Sequence, residues 1–282
     1  VCSVGVGPDR GGRTRNEDNY LVCHDGRITY LDGDREIAGP GGGVGALLGV
    51  CDGMGGHDDG HVASMTAARV MAKLYRPGLP KDPARALLRY IRDSHKRLHF
   101  RAREGGGDVE MGTTLTVAWL LEGKLFWAQV GDSRLYLYRR GKLTALTPIH
   151  THNEFARRDG MPSHSDGNRP AQNFIYGSRG QGDPAALRLE KGLDTGSELL
   201  EVGDRLVLCT DGLAGIVDDV SIGDVIKNTP DPQAAAVACM ERAIARGSTD
   251  NITVMVVRVD AIPPRSSNSE VWEADEEETI MY

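Results

Sequence analysis

The chain has 282 residues, 40% of them hydrophobic and 26% charged, with a formal net charge of −7. This globular composition excludes a wholly disordered or collagen-like chain, and the length suits one large domain or two small ones. Between Asp260 and Tyr282 seven acids stand against Arg265 alone, so six of the seven net charges fall there; residues 1–259 are close to neutral, without the basic excess of a nucleic-acid binder.

In chain order, short strands are predicted through Val4 and Val6 and over Tyr20 to Cys23. The run Ala46 to Cys51 is continuously apolar, as in a strand buried on both faces. A helix is predicted over Val62 to Tyr75. A second carries the stripe Ala84, Leu87, Leu88, Ile91, His95, Leu98 and Ala102, and Pro77 and Pro80 separate the two as an antiparallel pair. Strands return at Thr114 to Leu121, Leu125 to Val130, Arg134 to Tyr138 and Leu143 to Leu146, with Glu122-Gly123 and Arg140-Gly141 as turns. Residues Thr151 to Asp183 read as a long irregular loop, and loops of that length are usually functional or mobile. Leu206 to Cys209 is a buried strand, Ala236 to Ile244 a helix, and Ile252 to Val259 a final strand. From Ile262 onward Pro, Ser and acids dominate, which predicts a flexible acidic tail over 260–282.

Five cysteines (2, 23, 51, 209 and 239) form no CxxC pair, and Cys51 and Cys209 lie in apolar runs. They predict free thiols and a reducing, cytoplasmic setting. No apolar run reaches the roughly 18 residues of a membrane span, and no basic-then-apolar leader opens the chain, so no membrane association is expected.

The chemistry is carried by acids at strand ends. Asp52 follows ALLGVC, Asp211 follows RLVLCT, Asp250 precedes the last strand, and Glu17-Asp18 precede the second. Carboxylates gathered at a dry sheet edge repel one another and lose hydration unless a cation neutralises them. Oxygen donors without His or Cys favour hard ions, Mg²⁺ or Mn²⁺. Spacing alone leaves the reaction open. His57 and His61 could share a helix face, but no third ligand accompanies them for zinc.

Taken together, RTRNED (Arg13 to Asp18), DGMGGH (Asp52 to His57), GTT (Gly112 to Thr114), VGDSRLY (Val130 to Tyr136), LCTDGL (Leu208 to Leu213) and STDNITV (Ser248 to Val254) resemble the metal-dependent protein phosphatases, the type 2C Ser/Thr family, in its bacterial wording. The matches run in family order from about residue 4 to residue 259. The resemblance implies an α+β layered fold, an α-β-β-α sandwich of two antiparallel sheets flanked by antiparallel helix pairs. Residues 1–259 would form the catalytic domain, with a flap-like insertion at about 150–183.

It further implies two Mn²⁺ or Mg²⁺ ions, with Asp52 bridging them, Glu17 and the Gly53 carbonyl on one, and Asp211 and Asp250 on the other. Asp132 would help Asp211 hold a third, weaker ion. Asp18 and Asn251 would order water, and Arg13 would bind phosphate, with Arg10 or Arg15 as substitutes. Met54 stands where many eukaryotic relatives carry a His proposed as general acid, so His57 is the nearby candidate for proton donation. The implied activity is hydrolysis of phosphoserine and phosphothreonine on proteins by a metal-bridging hydroxide, opposing Ser/Thr kinases and sharing their targets. The expected state is a monomer that binds no nucleic acid. A pseudophosphatase that binds phosphoproteins without turnover is the alternative, and a nuclease or other esterase is disfavoured by the near-neutral core.

Overall fold

A computed structural model describes residues 2–55, 59–104, 111–150, 152–158, 160–162, 175–177, 193–263 and 270–273. The first strand, β1 (Cys2–Asp9), is followed by β2 (Asn19–His24), β3 (Arg27–Asp32), β4 (Arg35–Pro40), β5 (Ala46–Cys51) and β6 (Gly53–Gly55). Helices α1 (Asp59–Ala72) and α2 (Pro83–Glu104) come next, joined through β7 (Leu79–Pro80). A meander follows: β8 (Met111–Thr113), β9 (Leu115–Leu121), β10 (Lys124–Val130), β11 (Arg134–Arg139) and β12 (Lys142–Ala145). The stretch expected to be irregular contains α3 (His152–Arg158) and β13 (Ile175–Gly177). The chain continues through β14 (Asp194–Leu199), β15 (Arg205–Cys209), α4 (Asp211–Ala214), α5 (Asp219–Asn228), α6 (Pro232–Ala245), β16 (Ile252–Val259) and β17 (Val271–Trp272).

Two antiparallel sheets dominate, in the orders β1-β16-β15-β11-β12 and β14-β10-β9-β5-β2-β3-β4. Each central strand feeds two cores, which is why its sequence is apolar without alternation. In β5, Leu47 and Cys51 join the layer under α1 and α2, whereas Ala46, Leu48 and Val50 face the opposite sheet. In β16, Met255, Val257 and Val259 point between the sheets, and Ile252, Val254 and Val256 point toward α5 and α6. Four layers result, α-β-β-α, as expected. A small sheet, β13-β8-β6, lies beside them, with Gly53 opposite Thr113 and Met54 opposite Gly112.

Register sets the site. Asn19 pairs with Cys51, Cys209 with Val254, and Arg134 with Cys209. The residues just beyond these pairs, Asp18, Asp52, Asp211, Asn251 and Asp132, therefore leave the sandwich at one edge.

The tail is not wholly detached. Val271-Trp272 pair in parallel with Leu79-Pro80 on the α1–α2 connection. The Leu79 amide donates to the Glu270 carbonyl at 2.7 Å and the Lys81 amide to the Trp272 carbonyl at 2.8 Å. The Trp272 ring lies 4.0 Å beneath the Arg76 guanidinium and 6.4 Å from the Trp119 ring, and Lys81 pairs with Glu273.

Candidate metal and phosphate site

The acids at the strand ends are neighbours in space. Asp52 leaves β5 with its backbone fixed from both sides: its amide donates to Thr114 Oγ1 at 2.9 Å, and its carbonyl accepts from the Thr114 amide at 2.9 Å. This is the work of the GTT motif. Asp211 opens the single-turn helix α4, where the Gly212 backbone partly offsets the burial of its carboxylate. Ser248 Oγ donates to the Gly212 carbonyl at 2.9 Å and so ties the STDN segment to this helix.

Asn251 is a hub. Its side-chain oxygen accepts from the Glu17 amide at 2.8 Å, and its NH₂ donates to the carbonyls of Arg10 at 3.1 Å and Arg15 at 2.9 Å. It thus orders the Arg10–Arg15 loop and Glu17 through backbone contacts. Asp18 is buried and accepts from Thr210 Oγ1 at 2.8 Å. Thr210 accepts in turn from the Thr253 amide at 3.0 Å.

Two glycines make the approach of these groups possible. A Cβ at Gly53 would sit 2.2 Å from the Gly60 carbonyl oxygen, and one at Gly60 would sit 2.7 Å from the Glu17 carboxyl carbon. Glu17 therefore rests against the first turn of α1 at a place where no side chain fits.

The electrostatics are strained. Burial is the largest cause of the upward shift in the carboxyl pKa of Glu17, Asp18, Asp52, Asp132 and Asp211. Asp18 is pushed up to about 7 and Asp132 to about 6, and Asp52 is raised well above the usual carboxylate range. Mutual repulsion adds to this: Asp211 and Asp250 act on Asp18, Asp18 and Asp211 on Asp52, and Asp211 on Asp132. The carboxyls of Asp52 and Asp211 come close enough to raise the pKa of Asp52, an arrangement that two ionised carboxylates disfavour. Asp18 Oδ1 and Asp211 Oδ1 are buried without a hydrogen-bond partner. Such a cluster is costly unless a cation enters it.

The donors are all oxygen, which suits a hard divalent ion. Among the described residues no three acidic, imidazole or thiol groups are gathered around one point. An ion here would fill with water the positions that these side chains leave open, as Mg²⁺ commonly does. At the mouth, Arg13 forks onto Asp250, with Nη2 and Nε each 3.0 Å from a carboxylate oxygen. The same planar fork matches two oxygens of a phosphate.

Of the residues singled out in sequence, Arg13, Glu17, Asp18, Asp52, Gly53, Asp132, Asp211, Asp250 and Asn251 meet at this edge. His57 lies outside the described residues. Arg10 turns aside to Asp34 at 3.3 Å. The contributions of Thr114, Thr210 and Gly60 emerge only in the structure. The one local signal for the threonines is a hydroxyl immediately beside an acid-bearing strand end.

The protein phosphatase 2C family model matches residues 41–247. The serine/threonine phosphatase stp of Listeria welshimeri is 30% identical over 213 residues, covering 74% of this chain and 82% of that one. The serine/threonine protein phosphatase PstP of Mycobacterium tuberculosis is 31% identical over 218 residues, covering 76% of this chain and 40% of that protein. A crystal structure of PstP superposes with a TM-score of 0.71 at 28% identity, covering 93% of this chain and 100% of that chain. The PstP catalytic domain in complex with two manganese ions gives 0.71 at 27% identity, covering 93% and 99%.

Proposed function

The chain belongs to the protein phosphatase 2C family and is a protein serine/threonine phosphatase, and we propose that it works through two Mn²⁺ or Mg²⁺ ions held at the strand-end carboxylates. The observation that carries this reading is the convergence of Glu17, Asp52, Asp211 and Asp250 from four separate stretches of chain beside Arg13. Asp52, whose carboxyl feels those of Asp18, Asp211 and Asp132, would contribute to both ions. Glu17 and the Gly53 carbonyl would serve one ion, and Asp211 and Asp250 the other. Asp132, beside Asp211, would help hold a weaker third ion.

Bound there, such ions supply Lewis acidity and bring the pKa of an attacking water toward neutrality. The protein's own groups do the rest. Arg13 exchanges Asp250 for the phosphate and stabilises charge on its oxygens as it develops in an in-line displacement. Asn251 keeps the Arg10–Arg15 loop and Glu17 in register. Asp18 stays fixed by Thr210, a position from which it can order water.

Residues 1–259 are taken as the catalytic unit, with the insertion at about 150–183 and the remainder as an accessory tail. The substrates are phosphoproteins. We place the enzyme opposite Ser/Thr kinases in a reducing compartment, which is supported by five free, buried cysteines. No helix among the described residues is long and apolar enough to cross a membrane.

The test is phosphate release from a phosphothreonine peptide, with an aryl phosphate and single-stranded DNA as parallel substrates, with Mn²⁺ and with chelator. Release from the peptide only with metal is expected. Asp211→Asn and Asp250→Asn should each cost several orders of magnitude in rate while remaining folded. Losses below about tenfold, or about 1.4 kcal/mol, contradict the ligand assignment.

A further inference from the structure

Asp132 lies in the turn between β10 and β11, and buried side chains hold that turn from several directions. The Gly131 amide donates to His150 Nδ1 at 3.0 Å. The Gly131 carbonyl accepts from Gln129 Nε2 at 2.9 Å, and the same NH₂ group donates to the Pro148 carbonyl at 2.9 Å. Ser133 Oγ lies 2.8 Å from Thr114 Oγ1, and the Ser133 carbonyl accepts from Thr116 Oγ1 at 3.1 Å.

His150 is wholly buried, and its other nitrogen, Nε2, is 2.7 Å from Asp194 Oδ2. A backbone N–H can only donate, so Nδ1 is the unprotonated nitrogen and Nε2–H donates to the carboxylate. Asp194 thereby fixes the tautomer that lets His150 accept from Gly131. Gly131 has φ of +109°, and a Cβ there would lie 2.6 Å from Thr114 Cβ. Glycine alone fits this conformation against Thr114, and its hydrogen bonds select it from the many that glycine can adopt.

We propose that His150, oriented by Asp194, is a positioning residue for Asp132: it grips the Gly131 amide and so aims the next residue's carboxylate at Asp211. The proposal rests on the assignment of Asp132 to a weaker third ion. His150 and Asp194 also bracket residues 151–193, so this contact ties both ends of the stretch that includes the long insertion to the Asp132 turn. Displacements of about 1 Å in a site of this kind cost up to a hundredfold in rate. A lost grip on Gly131 therefore registers first in the affinity of the weakest ion.

The experiment uses the full chain and the variants D132N, H150A, H150N, H150Q and the double variant D132N/H150A. Mn²⁺ binding is followed by calorimetry and electron paramagnetic resonance, and turnover is followed against Mn²⁺ concentration. Asn places an acceptor where Nδ1 lies and Gln places a donor where Nε2 lies. The proposal predicts that D132N removes the weakest Mn²⁺ class and that H150A weakens that class at least tenfold while leaving the tighter ions unchanged. It also predicts that H150N recovers most of the loss and H150Q little of it. In the D132N background H150A should add nothing, because residues acting through one group are non-additive.

If D132N changes neither Mn²⁺ binding nor its concentration dependence, the assignment of Asp132 is overturned whatever His150 does. If D132N acts but H150A does not, or the two losses multiply, or H150Q recovers as much as H150N, the role of His150 is overturned. Should H150A fail to fold, the comparison of H150N with H150Q decides alone.

Discussion

Replacing Trp272 with Ala isolates the docking of the C-terminal segment. The ring contributes a cation–π contact with Arg76 at 4.0 Å and a tilted contact with Trp119 at 6.4 Å. Each such contact is worth about 0.5–1.5 kcal/mol. Against this, the ring is only half-buried and its Nε1–H is buried without a partner. The net loss should then fall below the roughly 3–5 kcal/mol of a core Trp→Ala change, at about 2 kcal/mol. For a domain of this size that lowers the melting temperature by about 4–8 °C. A chain ending at Pro263 should melt close to W272A, since the two backbone bonds of Glu270 and Trp272 are offset by the entropy of ordering four residues. Turnover on a small aryl phosphate should not change. Trp119 pairs with Leu47, and Asp52 lies five residues further along, about 17 Å at strand rise. Thermal unfolding of the three proteins checks this. Unchanged melting in both variants would refute the docking, and a large loss of turnover would show that the segment belongs to the catalytic unit.

Other outcomes follow from the site. In metal-free protein the carboxyls of Asp18, at about 7, and Asp132, at about 6, lie above their unfolded values, so the folded state binds more protons between about pH 4 and 7. Stability contributed by these groups is complete below their unfolded pKa and is lost as pH rises through that window, at up to about 1.4 kcal/mol per pH unit for each group. The melting temperature of chelated protein minus that of Mn²⁺-loaded protein should therefore fall from pH 4.5 to 7.5, and a flat or rising difference contradicts the burial of these acids. Gly60→Ala should cut turnover more than tenfold while leaving the melting temperature within a few degrees, because its Cβ displaces the Glu17 carboxyl; full activity would show that Glu17 is not needed there. The five cysteines are free and buried, with the thiols of Cys2 and Cys239 raised to about 11 and 12 and those of Cys23, Cys51 and Cys209 higher still. None offers a thiolate near neutral pH, so a folded variant lacking all five should turn over within a few fold of the parent; a folded but inactive one would contradict this.

The acids were legible because the signal is local: a run buried on both faces, such as ALLGVC or RLVLC, ends abruptly in Asp-Gly. The central strands and the α1–α2 pair were legible for the same reason, since their apolar runs and stripes are long. What escaped was structure made by tertiary context. The β3–β4 hairpin (Arg27 to Pro40) and β14 present largely exposed or alternating edges, with few fully buried side chains to reveal them. Helix α5 spans only ten residues, and its cap, Asp218 accepting from the Ser221 amide, reads in sequence as another turn acid. Trp272 sits in an acidic stretch whose composition signals disorder, yet one aromatic ring finds Arg76 and Trp119 far away in sequence. Within the site, the hydroxyls of Thr114 and Thr210 are polar groups at apolar strand ends whose partners are set by cross-strand register, and the ring of His150 lies in the loop after β12, where only the tertiary fold brings it to Gly131.

The most direct measurement is anomalous scattering at the manganese edge from crystals of the full chain grown or soaked with Mn²⁺. The account predicts two strong peaks at the sheet edge among Glu17, Asp52, Asp211 and Asp250, with Asp52 touching both, and a weaker third beside Asp132. Strong peaks elsewhere, or none at that edge while the protein dephosphorylates phosphothreonine, would contradict it.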